Sequence, residues 1–446
     1  MKDYRNRSKL FSKKHLNCIH VEYYKSTMDK TTELMPVPTY VLIPMEQHIG
    51  APCVPLVSKG DHVKVGQMIG DSDAEISAPI HSSVSGTVED IEEILSVTGT
   101  RSPLIVIKAD KKQEVSEEVV IPEVTDHKSF IAAIRRSGLV GLGGAAFPAH
   151  VKYNPKNLDE VDTLIVNGAE CEPYITSDYR CMIEDTEDII EGIRYLLKYL
   201  DLKNCLIAIE DNKPKAIEAL KEASAGYPNI NVMTIKALYP NGSERVLIYE
   251  ATGRILPPGS LPADEGVLVS NVGTVAFISQ YMKTGMPLIS KRLTIDGPAV
   301  AEPKNIKALI GTRTYEMVDF CGGYQRRPRL ILMGGPMMGR ALYDDGAPMI
   351  KNNNAILAYD TPAIRSVKPE TACINCGKCV YACPLNLMPT TIMKAYELRQ
   401  ADKLKKLYVD ICMECGSCSY VCPAKKQLSM INKLAKLMLR EAEENV

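Results

Sequence analysis

A doubled cysteine run near the C-terminus constrains this chain more than any other feature. Cys373, Cys376, Cys379 and Cys383 are followed by Pro384, and Cys412, Cys415, Cys418 and Cys422 by Pro423, so C-x2-C-x2-C-x3-C-P occurs twice. Three thiolates at that spacing wrap one iron-sulfur cubane, and in two-cluster ferredoxins the fourth cysteine of each run crosses to the other cluster. The spacing therefore predicts Cys373, Cys376, Cys379 and Cys422 around one [4Fe-4S] cluster, and Cys412, Cys415, Cys418 and Cys383 around a second. Zinc also accepts four thiolates, but two complete runs, each closed by Pro, match the cluster pattern residue for residue. Two neighbouring clusters carry electrons one at a time. The other six cysteines, Cys18, Cys53, Cys171, Cys181, Cys205 and Cys321, share no ligand spacing and read as packed thiols.

The rest of the chain is ordinary globular material. Its 446 residues suffice for about three compact domains. Lys plus Arg (53) against Asp plus Glu (54) leaves a net charge of −1, with no basic footprint for nucleic acid. No apolar run reaches the roughly 18 to 20 residues that span a bilayer. The basic, polar start (Met1, Lys2, Asp3) is followed by no signal-peptide core. The expectation is a protein on the cytosolic side, free to sit on a membrane but not to cross it.

Patterning divides the chain into five parts: an irregular extension (1–36), a small all-β unit (37–110), a layered α/β domain (125–285), a second β-rich unit (286–358) and the cysteine module (365–446). In the α/β part, strand-like runs at Thr163–Val166, Leu206–Ile209 and Val232–Ile235 alternate with helical patterns at Asp185–Leu200 and Lys213–Ala225. Helical patterns return at Thr390–Leu407 and Leu428–Glu443, where Leu428, Ile431, Leu434, Leu437 and Met438 fall near one face.

A glycine-rich loop opens the α/β domain. Gly138, Gly141, Gly143 and Gly144 precede Phe147 and Pro148, and closely spaced glycines let bare N–H groups approach a phosphate or a flavin ring. No strand runs into the loop, so it is not the usual dinucleotide fingerprint. Its company is informative: Lys152 follows, and Asn167, Glu170, Cys171 and Glu172 come directly after the strand Thr163–Val166. Gly242 and Glu244 precede a helical pattern, and Asn271, Gly273 and Thr274 end a third apolar run. Strand ends of α/β sheets are where ligands bind.

These residues resemble the flavin- and NADH-binding subunit of respiratory complex I and, more closely, the RnfC family, a component of Rnf ion-translocating electron transport complexes. The likeness covers nearly everything from about residue 37. It implies FMN held by Gly141, Gly143 and Gly144, NADH beside Phe147, Lys152 near the flavin phosphate, and Asn167, Glu170, Glu172, Gly242, Glu244, Asn271 and Thr274 at flavin or nucleotide positions. Carboxylates at Glu170 and Glu172 near a ribose would favour NADH over NADPH. Two positions depart from the relatives: Ala146 stands where a third Gly is common, and Ser243 where complex I has a carboxylate. The chemistry agrees, because a flavin converts between two-electron hydride transfer and the one-electron steps of clusters.

Lys59-Gly60-Asp61 through Ser85-Gly86-Thr87 looks like a lipoyl or biotinyl carrier domain, but Asp71–Ile76, where a carrier holds its Lys, contains none. That predicts a barrel-sandwich hybrid used for docking. Lys291–Gly297 through Met333–Pro336 resembles the β-grasp (SLBB-like) unit of the same relatives. The whole reads as a multidomain α/β chain plus small β units: barrel-sandwich hybrid, FMN/NADH-binding domain, β-grasp domain and an α-helical ferredoxin-like domain. By resemblance its partners are NAD(H) and the membrane and ferredoxin-like subunits of an Rnf complex. Such a complex couples ferredoxin oxidation and NAD+ reduction to Na+ or H+ transport, from the cytoplasmic face. A soluble cobalamin reductase, or a docking and electron-wire subunit without a working flavin site, are the alternatives.

Overall fold

The computed structural model describes residues 16–95, 101–360 and 369–444. The first fifteen residues of the extension and residues 365–368 of the cysteine module lie outside them. The first strand, β1 (Glu33–Leu34), belongs to the extension, and β2 (Tyr40–Pro44), β3 (Val54–Pro55), β4 (His62–Val63), β5 (Met68–Asp71), β6 (Ile80–His81), β7 (Gly86–Leu95) and β8 (Arg101–Ala109) follow. They form two facing sheets, β2-β8-β7-β4 and β3-β5-β6. Alternating side chains Val41, Ile43, Val63, Ile69, Ile80, Val88, Ile105 and Ile107 close the core between them. The loop after β5 is tied down rather than mobile, because Arg135 donates to both Asp71 oxygens at 3.1 and 2.8 Å. A two-point guanidinium–carboxylate contact fixes orientation as well as distance.

Arg135 belongs to α1 (His127–Arg136), which leads through the glycine loop into α2 (Ala149–Lys152). Then come β9 (Thr163–Gly168), α3 (Ser177–Glu184), α4 (Thr186–Tyr199), β10 (Asn204–Glu210), α5 (Pro214–Ser224), β11 (Ile230–Ile235), α6 (Glu244–Thr252), β12 (Val267–Asn271) and α7 (Val272–Thr284). The sheet order is β11-β10-β9-β12, every pairing parallel. The chain leaves β9 to one side and returns on the other, so the strand order reverses beside β9. That switch point is where α/β sheets open a crevice.

The next unit contains β13 (Ser290–Asp296), β14 (Lys304–Leu309), α8 (Thr314–Phe320), β15 (Leu330–Met333), β16 (Arg340–Ala341) and β17 (Ala355–Tyr359) in a mixed sheet, β1-β14-β13-β17-β15-β16. Its edge strand β1 comes from the extension, which is therefore part of the fold rather than an appendage. The cysteine module is helical: α9 (Lys378–Tyr381), α10 (Pro389–Glu397), α11 (Ala401–Lys406), α12 (Ser417–Tyr420) and α13 (Leu428–Glu444). The pattern read as one helix over Thr390–Leu407 breaks at Arg399, which takes a left-handed φ of 51°. On α13 the buried face runs through Leu428, Asn432, Ala435 and Leu439, while Leu434 and Leu437 are exposed. Leu428, Ile431 and Met438 of the face read from sequence do pack on the module, but Ala435 and Leu439 complete it in place of Leu434 and Leu437.

Three histidines sit at or beside the seam between barrel and α/β domain. Burial holds His48 and His150 down at about 4 and His81 at about 3, against about 6.5 in an unfolded chain. The unfolded chain therefore takes up protons first, so this contribution to stability is whole above pH 6.5 and is lost as pH falls towards 4. Thermal melting between pH 8 and 5 should show that loss, with a shallower slope in His48→Gln, whose amide oxygen can still accept the Ala78 N–H that His48 Nε2 now accepts at 3.1 Å.

Candidate flavin cradle and cluster sites

The crevice is framed by two asparagines in register. Asn167 at the end of β9 pairs with Asn271 at the end of β12. Asn271 caps α7, its Oδ1 accepting from Gly273 N–H at 2.9 Å, while its Nδ2 donates to Asp178 at 2.6 Å. Asn167 Nδ2 donates to the Gly242 carbonyl at 2.8 Å, bringing the loop before α6 onto the strand ends. A Cβ at Gly242 would lie 2.8 Å from the Ala169 carbonyl, so only glycine permits that approach.

The glycine loop lies over this frame. Gly141 N–H donates to the Phe147 carbonyl at 2.8 Å and closes the loop, and Leu142 N–H donates to Thr274 Oγ1 at 2.9 Å. Gly143 leans on Asn271, where an added Cβ would come within 3.1 Å. Gly144 has φ +119°, and a Cβ there would project into open space. The loop thus presents bare backbone to the crevice, the surface a flat flavin ring or a phosphate requires. Across the rim, Lys152 Nζ pairs with Glu244 at 2.7 Å. Gly141, Gly143, Gly144, Phe147, Lys152, Asn167, Gly242, Glu244, Asn271 and Thr274 are brought to one crevice, and the residues present fit FMN.

The two acidic residues behave differently from the expectation. Glu170 is buried, its carboxylate accepting from Asp178 N–H at 2.7 Å and Tyr179 N–H at 3.4 Å at the start of α3. Glu172 accepts from Met337 N–H at 3.0 Å and Met338 N–H at 2.9 Å in the β-grasp unit. Burial pushes both carboxyls up to about 7. Neither carboxylate is spare for a ribose, so a preference for NADH over NADPH does not follow from them. Sequence inspection also missed Tyr239, Asp178 and Lys25; Tyr239 carried the one usable signal, a proline directly after it.

The departures from the relatives' pattern have visible consequences. Ala146 sits at φ +54°, a left-handed conformation that costs a residue with a Cβ about 1–2 kcal/mol. The Ser243 hydroxyl rests on the sulfur of Met413, between two cluster cysteines.

Both predicted thiolate sets are found together. Cys373, Cys376, Cys379 and Cys422 line a cavity of about 100 Å³ with Thr390 and Lys426. Cys383, from the first run, is near enough to Cys412, Cys415 and Cys418 for their charges to act on one another. That is the crossed arrangement, and four soft sulfurs around each centre suit an iron-sulfur cubane. Among the described residues no group of His, Cys, Asp or Glu side chains converges as ligands of a single ion would. Cys412–Cys418 is the set facing the flavin cradle: Tyr239, at the start of the Gly242 loop, donates its hydroxyl to the Cys415 carbonyl at 2.5 Å. Gly416 rests on Met337, where an added Cβ would lie 2.9 Å from the carbonyl oxygen. Of the six scattered cysteines, Cys53, Cys181, Cys205 and Cys321 are buried, as packed thiols should be, while Cys18 and Cys171 are only half-buried.

With this geometry, comparison with known proteins is informative. Residues 14–112 match the RnfC barrel sandwich hybrid domain, residues 134–280 the Nuo51 FMN-binding domain and residues 365–433 a 4Fe-4S dicluster domain. The component designated C in the proton-translocating ferredoxin:NAD(+) oxidoreductase complex of Clostridium ljungdahlii is 44% identical over 371 residues, 82% of this chain and 81% of its own length. The corresponding component of the Na(+)-translocating complex of Acetobacterium woodii is 39% identical over 389 residues, 86% and 88%. An NAD+-reducing [NiFe]-hydrogenase shares the fold with a TM-score of 0.50 at 16% identity, over 72% of this chain and 63% of that one.

Two substitutions test this site. Ala146→Gly should leave stability unchanged or raise it by up to about 1 kcal/mol, because relief of the left-handed strain offsets glycine's extra chain entropy; denaturant melts measure it. Gly335→Ala should detach Glu172 from its two amides, since a Cβ there would lie 2.3 Å from Glu172 Oε2. The Met338 amide is exposed and can turn to water, so the cost is that of one part-buried amide left unpaired, about 1–3 kcal/mol, read in the same melts.

Proposed function

We propose, from the premise that this chain belongs to the RnfC family of ion-translocating ferredoxin:NAD(+) oxidoreductase complexes, that it exchanges electrons between NAD(H) and its membrane-bound complex through FMN and two [4Fe-4S] clusters. FMN would lie on Gly141, Gly143 and Gly144 at the β9/β12 switch point, with Lys152 and the α7 N-terminus as anion-favouring groups and Phe147 at the nicotinamide side. A bound flavin supplies the conversion between hydride transfer and single-electron steps. The chain's own residues hold the reacting groups in place: Asn167 and Asn271 fix the crevice, Glu172 anchors the β-grasp loop, and Tyr239 joins the cradle to the cluster of Cys412, Cys415, Cys418 and Cys383. The cluster of Cys373, Cys376, Cys379 and Cys422 lies at the far side, where Cys376 is exposed, suited to passing electrons onward.

The observation that carries this reading is the 2.5 Å bond from Tyr239 to the Cys415 carbonyl. It makes the nucleotide-binding loop and a cluster-binding loop neighbours, as a two-electron to one-electron converter requires. No described helix is long and apolar enough to cross a membrane. The reading places the chain peripherally on the cytoplasmic face, with ion passage in the membrane subunits and ferredoxin-like subunits as electron partners.

Anaerobically purified protein should contain about one FMN and about eight iron atoms per chain, and stopped-flow absorbance after NADH should show flavin bleaching before cluster reduction. Eight iron atoms without flavin, and no response to NADH, would leave an electron wire and overturn the reading. Cys415→Ser and Cys376→Ser should each remove about four iron atoms, from different clusters.

A further inference from the structure

Residues 16–34 cross three units of the protein. Ile19 and Tyr239 exchange main-chain hydrogen bonds, Ile19 N–H to the Tyr239 carbonyl at 2.8 Å and Tyr239 N–H to the Ile19 carbonyl at 2.9 Å. Cys18 Sγ donates to Asn241 at 3.1 Å, and Asn17 donates to Asn386, three residues past Cys383, at 2.9 Å. Lys25 then turns inward. Its ammonium donates to the carbonyls of Glu170 and Glu172, each at 2.9 Å, and of Ile175, and lies 3.9 Å from the Glu170 carboxylate, with 5% of either side chain exposed. The Tyr24 carbonyl accepts from Tyr174 N–H at 2.6 Å, and the two rings stack at 4.9 Å. Beyond them Ser26 bonds Asp296 at 2.7 Å, and β1 joins the β-grasp sheet.

An ammonium has three donors, and here all three go to one irregular turn, the turn carrying Glu170 and Glu172. Converging carbonyls repel one another unless a cation sits between them, and a buried cation is tolerated only beside a counter-charge, which Glu170 supplies. The strap thus touches both sides of the same junction: the acidic turn through Lys25, and through Ile19 the Tyr239 backbone whose hydroxyl meets the cluster loop.

We infer that residues 16–34 are a positioning strap for the flavin-to-cluster junction, in which Lys25 sets the Glu170–Ile175 turn and Ile19 sets Tyr239 against Cys415. This rests on the functional reading above for what is positioned, and on the hydrogen bonds alone for the positioning. Lys25 is a positioning residue, since it acts through the turn.

Two full-length, iron-loaded variants test it. Lys25→Met keeps the length and removes the three donors; Ile19→Pro removes the N–H given to Tyr239. Amide hydrogen exchange is measured before FMN is added, together with the electron paramagnetic resonance of both reduced clusters; FMN alone is then titrated by fluorescence. In Lys25→Met, exchange at Cys171–Thr176 should quicken about 100-fold, as lost buried hydrogen bonds imply, and FMN should bind at least about tenfold more weakly. In Ile19→Pro, exchange at residues 239–243 and the spectrum of the cluster held by Cys412, Cys415 and Cys418 should change. The other cluster's spectrum and exchange in the barrel should stay at wild-type values in both. Wild-type exchange at both loops, or exchange that rises uniformly through the barrel as well, overturns the inference. If the wild-type chain binds no FMN while the two variants still show the local exchange and spectral changes, the functional reading fails and the strap stands.

Discussion

The parallel pairing of β9 with β12 is the contact on which the rest of the molecule depends. Because β10 and β11 extend the sheet from the other edge of β9, this pair creates the reversal of strand order, and it sets Asn167 opposite Asn271. One asparagine turns outward to the loop before α6 and the other caps α7 and grips Asp178. The glycine loop has a bed only because those two loops are fixed, and Thr274, one turn into α7, receives the loop's Leu142 N–H. The cradle is thus held largely by backbone, hydroxyl and amide groups, with the Asp178 carboxylate fixing Asn271 and the Lys152–Glu244 pair closing the rim.

Charge is used behind the cradle. Lys25 and Glu170 are accompanied by Glu210 and Lys213, a buried pair on the end of β10 and the start of α5, and Glu170 N–H donates to Glu210 at 3.1 Å. These two carboxyls and two amines, buried side by side, depend on one another, since removing one partner leaves its neighbour uncompensated. Such a set specifies one arrangement of the turn after β9 and costs more to distort than an apolar contact would. The turn carries Glu172, which reaches the β-grasp loop, and that loop supports Gly416 beside Cys415. The Glu172 carboxylate on the β-grasp loop and that loop's contact with Gly416 therefore join the crevice to one cluster loop, and Tyr239 makes a second link.

The cysteine module is built the opposite way. Its helices are short, and α9 and α12 each begin at a glycine with φ near +75 to +80°, so that the loops bearing the thiolates wrap around rather than stack. Its buried apolar residues fall into two small clusters rather than one core, one around Ile392 and Leu404 and one around the thiolates Cys379, Cys418 and Cys422. Metal–sulfur bonds to the bound clusters would add cohesion, as in other small metal-bound modules.

The grouping of the cysteines was legible in sequence, Cys422 gathering with Cys373, Cys376 and Cys379 and Cys383 with Cys412, Cys415 and Cys418, because the doubled spacing is the one that wraps two cubanes. The cradle was legible too: glycine spacing and strand-end asparagines act through local backbone geometry, which a sequence encodes within a few residues. The roles of Glu170 and Glu172 were not legible. Two carboxylates separated by one residue look alike in sequence, yet one is claimed by a helix terminus and the other by amides 165 and 166 residues away. Lys25 carried no signal at all, since nothing near it in sequence shows that a lysine will be buried against carbonyls 145 to 150 residues distant. Local chemistry was written in the chain; which charges meet, and which segment holds the two redox sites together, was decided only when distant backbone groups came within hydrogen-bond reach.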